Sequence, residues 1–155
     1  MSAMPLPSDE LVREIDIDAP PETVFEYLTD PVKLARWWGL DPEIDPRPGG
    51  IYRVRFLGGR VTASGEVKEI IPGRRLVHTW GWEGEWSPIA PGASTVEITL
   101  TPRGAGTHLE LRHSGLRDTA EFHRTGWDHY LARLGTATTG ADPGPDPGPP
   151  GLAPE

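Results

Sequence analysis

Five histidines, three tyrosines and six tryptophans are the residues of this 155-residue chain with the most chemistry to offer. His78 and His113 each fall on the apolar side of an alternating segment. A buried imidazole of that kind can act as a general base near neutral pH, with Tyr52 or Tyr130 as a third group. The blander alternative is that each imidazole makes one satisfied hydrogen bond in a half-polar interior. A metal site is not expected. His123 and His129 are six apart on a helical segment and so lie on different faces. His108 and His113 are five apart on a strand and point to opposite sides. No HExxH or comparable ligand spacing occurs.

Other chemistries are excluded more sharply. The chain has no cysteine, which removes disulfides, thiolate metal sites and cysteine nucleophiles. Ser64, Ser87, Ser94 and Ser114 lack a nucleophile elbow. No GxGxxG or P-loop is present, so no cofactor is expected. A net charge of −8 argues against binding nucleic acid or an anionic membrane surface. No apolar run approaches the roughly 20 residues that span a bilayer. The first residues have neither the basic start nor the apolar stretch of a signal peptide, so the expected location is cytoplasmic.

These residues are carried by elements that the hydropathy pattern outlines. Leu11 to Asp18 alternates as a strand. Pro20 and Pro21 suit a helix start, and Val24, Phe25 and Leu28 then share a face. Asp30 is placed to cap a second short helix carrying Leu34, Trp37 and Trp38. DPEIDPRPGG reads as a loop. Five strands follow: 51–57, 61–71, 75–82, 95–101 and 107–113. Gly58-Gly59 and Pro72-Gly73 mark tight turns. The last element, Asp118 to Leu134, repeats Phe122, Gly126, Trp127, Tyr130, Leu131 and Leu134 at helical spacing, with Gly135 as its C′ residue.

Sequential strands joined by short turns form an antiparallel meander, and the long helix supplies the stripe that covers one face. The expected fold is α+β: a curved six-stranded antiparallel sheet around a long C-terminal helix, with two short helices after strand 1. Residues 1–9 and the Pro/Gly-rich acidic tail 136–155 are expected to be disordered, leaving one domain over 10–135. Periodicity alone does not decide whether the inward residues fill a core or line a space.

The ordered set IDIDAPPETVFEYLTDPVKLARWW, PGGIYRV, GEVKEIIPGRRLVHTW, STVEITLTPRGAGTHLELRHSGL and HRTGWDHYLARL resembles the AHSA1-like family, the C-terminal-domain type of the activator of Hsp90 ATPase homologue. That family belongs to the START/SRPBCC, or Bet v 1-like, superfamily. The resemblance covers about residues 10 to 135 and implies a helix-grip fold with an apolar cavity between sheet and helix. On that basis the chain is expected to bind a small hydrophobic or amphipathic molecule such as a lipid or polyketide. Its expected contacts are Tyr52, Val54, Phe56, His78, Trp80, Trp82, Ile98, Leu111 and His113 on strands, and Phe122, Trp127 and Tyr130 on the helix. Trp37 and Trp38 are expected at the mouth, one of them exposed. His78, His113, Trp80 and Tyr130 would orient the ligand's polar end. A cyclase- or hydratase-type enzyme using a cavity histidine is the alternative. The resemblance also raises a chaperone of the Hsp90 type as a partner. Relatives that stimulate Hsp90 carry an added N-terminal domain, which the few leading residues are not expected to replace, so stimulation of such a chaperone is not expected. The chain is expected as monomer or homodimer.

Overall fold

In the computed structural model, residues 9–146 and 148 are described. The expected disorder of residues 1–8, and of the tail at 147 and 149–155, lies outside the described residues. The elements run β1 (Glu10–Ile17), α1 (Pro21–Thr29), α2 (Pro31–Leu34), β2 (Leu40–Ile44), β3 (Ile51–Phe56), β4 (Val61–Ile71), β5 (Arg75–Trp80), β6 (Ser94–Arg103), β7 (Gly106–Ser114) and α3 (Ala120–Thr138). One antiparallel sheet has the order β1-β7-β6-β5-β4-β3-β2. Every pairing between sequence neighbours is a hairpin, and β1 closes onto β7 from the far end of the chain. No helix among the described residues is long and apolar enough to cross a membrane.

The sheet has seven strands, not six. The additional strand, β2, lies mostly in the segment read as a loop, where three prolines hid it. It pairs only with β3, so it is an edge, and edges tolerate a proline that cannot donate to the ladder. The register slips between Leu40 and Glu43, on either side of Pro42.

Two further boundaries move for identifiable reasons. β5 ends at Trp80 instead of Trp82 because the following loop crosses directly over Gly81. A Cβ there would lie 1.7 Å from the Ala90 carbonyl oxygen. Trp82 is still held by an isolated bridge to Ala63. α3 runs through Gly135 to Thr138. Gly135 sits against Ile15 inside the helix, and the left-handed cap falls instead at Gly140, with φ of 90°.

The caps follow the sequence. Pro20 and Pro21 open α1, and the Asp30 carboxylate accepts from the Val32 and Lys33 amides to open α2. The sheet's outer face carries ion pairs such as Arg53 with Glu43 and Glu83, and Arg75 with Glu69 and Glu97. The inner face and α3 enclose the core, and Arg13 on β1 grips Asp128 on α3 through two bonds of 2.6 and 2.8 Å.

Candidate functional site

Alternation along β3 turns Tyr52, Val54 and Phe56 inward, and along β5 it turns Leu76, His78 and Trp80 inward. α3 lays Trp127 and Tyr130 over them. Between these elements the packing leaves a cavity of about 240 Å³. Its inner wall is Trp38, Phe56, Trp80, Trp82, Trp127 and Tyr130, and its rim includes Leu57, Val61, Trp86 and Phe122. Trp86, on the loop after β5, is half exposed and packs on Trp82 and Phe122 at 5.2 and 5.9 Å.

Half of the residues expected to contact a ligand border this space: Trp38, Phe56, Trp80, Trp82, Phe122, Trp127 and Tyr130. Trp37, Tyr52, Val54, His78, Ile98, Leu111 and His113 are buried behind it, in the solid part of the core. Neither Trp37 nor Trp38 is exposed. Trp38 stacks between Trp37 and Trp80, both at 5.1 Å, while the Trp37 indole donates to the Tyr27 carbonyl. The wall also includes Leu57, Val61, Trp86, His123 and Gly126, which were not expected there. His123 precedes Trp127 by four and Tyr130 by seven, the spacing of a shared helical face, so the sequence did carry its signal. Trp86 has no such signal, since its loop has no period.

Of the three buried histidines only His123 borders the cavity, and all three bond to protein groups. The Trp127 indole donates to His113 Nδ1 at 3.0 Å, so the His113 proton is on Nε2, which donates to Ser94 Oγ at 2.8 Å. Ser94 in turn donates to the Trp80 carbonyl. The Trp82 indole donates to His123 Nε2 at 3.1 Å, and His123 Nδ1 donates to the Thr119 carbonyl at 2.9 Å. His78 stacks on Tyr52 with centroids 3.9 Å apart and donates from Nδ1 to the Thr79 carbonyl. Among the described residues its Nε2 and the Trp80 indole N–H, both buried, have no protein partner.

Burial sets the charge state of this region. It holds His78 down to about 4 and pushes His113 and His123 below the usual imidazole value, with His123 and His78 adding to the effect on His113. Tyr130 is raised, first by burial and then by the Asp146 carboxylate that accepts from its hydroxyl at 2.6 Å. The interior is therefore neutral, and its polar groups bond mainly to one another. Among the described residues no cluster of three or more His, Asp or Glu is arranged to hold a metal ion.

The comparisons agree with this architecture. The family model for "Activator of Hsp90 ATPase homolog 1-like protein" matches residues 18–138. The AHSA1-like protein RHE_CH02687 from Rhizobium etli has a solution structure with a TM-score of 0.68. It is 44% identical, over 89% of this chain and 86% of that one. The crystal structure of DynU16, from the dynemicin biosynthetic locus, gives a TM-score of 0.74 at 25% identity, over 87% of this chain and 49% of that one. The uncharacterized protein C1711.08 of Schizosaccharomyces pombe is 30% identical over 95 residues, 61% of this chain. The matched region is only 26% of that protein's length. With the family model spanning most of the chain and the helix-grip fold in place, the chain belongs to the AHSA1-like family.

Proposed function

We propose that the protein binds a small hydrophobic or amphipathic molecule in the cavity between the sheet and α3. The observation that carries this is the space itself. Protein interiors pack as densely as organic crystals and leave few voids larger than a water. Here a space of about 240 Å³ stays open between the sheet and α3 and reaches solvent at its rim beside half-exposed Trp86. Its surroundings are apolar, and an apolar ligand entering it gains roughly 25 cal/mol per Å² removed from water, before association costs.

The polar groups favour binding over acid–base chemistry. Both His113 nitrogens are bonded, and both His123 nitrogens are bonded. None of these bonds goes to a carboxylate that could activate the ring. The Tyr130 hydroxyl points its bond at Asp146. An amphipathic ligand would therefore bury its apolar part and leave its polar end at the rim, beside Trp86 and Phe122. DynU16, which comes from a biosynthetic locus, fits a role in handling such molecules.

The test is a thermal-shift and native mass-spectrometry panel of fatty alcohols, sterols and polyketide-like aromatics. A ligand present at about 100 times its Kd stabilises the fold by about 2.7 kcal/mol, which raises the melting temperature measurably. A panel in which nothing shifts the melt and nothing co-purifies would remove the proposal.

A further inference from the structure

Nine of the twelve residues lining the cavity carry rings, and these are set both parallel and perpendicular. Trp38 and Trp80 are 14° from parallel. Trp82 meets Trp80 at 79° and Phe122 at 80°. A ring bordering a space offers it a π-face, which is negative, or an edge, which is positive. A flat aromatic guest complements both, whereas a saturated guest uses neither. Among the described residues no carboxylate and no lysine or arginine borders the space, so an ionic guest would enter without a counter-charge.

Gly126 adds an independent observation. It lies in the interior of α3, where glycine is less stable than alanine. Its φ is not positive, and a Cβ there would meet no atom within 4 Å. Neither backbone conformation nor a neighbouring atom requires glycine. What the missing side chain supplies is a flat stretch of helix facing the cavity.

We propose that the cavity selects neutral, planar aromatic ring systems over saturated molecules of equal size, with the guest ring lying against α3 at Gly126. This rests on the cavity being a ligand site, and it names the class of ligand.

The test compares naphthalene with trans-decalin, fused bicycles of similar size that differ in flatness and π-character. Both are titrated into the intact protein and followed by the indole N–H resonances. Decalin leaves water more readily, so burial of area by itself favours decalin. Ring selection makes naphthalene about ten-fold tighter instead. Equal affinities, or tighter decalin, would overturn the proposal while leaving the cavity a binding site. Binding of neither would overturn both. Benzyltrimethylammonium binding tighter than naphthalene would also overturn it, because that marks a cation cage. In a second arm, Gly126→Leu, still folding cooperatively, abolishes naphthalene binding. Undiminished binding by a folded Gly126→Leu variant would sink the placement of the ring.

Discussion

The Trp127 indole and the His113 imidazole are joined by one hydrogen bond of 3.0 Å between α3 and β7. It fixes the wall of the cavity and the tautomer of the histidine together. The N–H can only donate, so Nδ1 must accept, and Nε2 is left to bond Ser94. The chain of bonds ends at the Trp80 carbonyl, so two cavity tryptophans are tied to one buried imidazole.

Removing that imidazole leaves the Trp127 donor buried without an acceptor, which costs about 1–3 kcal/mol beyond the lost packing. We expect His113→Leu to lower stability by at least about 2 kcal/mol in urea unfolding. His113→Gln, which keeps an acceptor, should recover part of the loss. Equal destabilisation by both would show that shape, and not the bond, matters at this position.

Stability should fall on mild acidification. His78 is held at about 4, and His113 and His123 are also depressed, whereas each returns to about 6.5 when unfolded. Below that value the unfolded chain takes up protons that the folded chain refuses. Stability is therefore full above about pH 6.5 and drains as pH drops through the folded values. His78 alone accounts for roughly 3 kcal/mol by the bottom of its window. Urea midpoints measured from pH 7 to pH 4 should decline, and His78→Phe should flatten the decline. A profile of equal slope in the variant contradicts this assignment.

Residues after α3 return along the helix and are held by two side chains. Asp146 accepts from Tyr130 at 2.6 Å and bonds His129 at 2.8 Å. Arg133 donates to the Pro143 and Gly144 carbonyls. Asp146→Ala should release this segment, seen as faster amide hydrogen exchange at 140–146, with a stability loss of about 1 kcal/mol. Unchanged exchange would mean that Arg133 holds the segment unaided.

Two glycines should respond oppositely to alanine. Gly126→Ala meets empty space in a helix and should stabilise the fold by up to about 1 kcal/mol. Gly81→Ala drives a Cβ to 1.7 Å from the Ala90 oxygen and should destabilise it severely, because backbone must move to make room. Melting temperatures of the two variants decide both expectations.

Much of the fold was legible because its signals are local. Alternation in Ile51–Phe56 and Ser94–Arg103, prolines at the start of α1 and the Asp30 cap each act within a few residues. β2 was not legible, because Pro42 weakens the strand pattern and only the tertiary pairing with β3 rescues it. The helix end was read one turn early, since glycine at 135 and glycine at 140 look alike until Ile15 packs on the first.

The amino-acid sequence by itself determined which side chains face inward, because the periods of strand and helix depend only on covalent geometry. It determined an aromatic interior in the same way. Which inward residues border open space, and which lie in solid packing, was decided only by the tertiary structure. Phe56 and Tyr52 have the same pattern on β3, yet one touches the cavity and the other sits against His78. That difference depends on how far α3 stands from each strand and on what side chains fill the gap. These are sums over contacts between residues far apart in the chain, and no local spacing contains them.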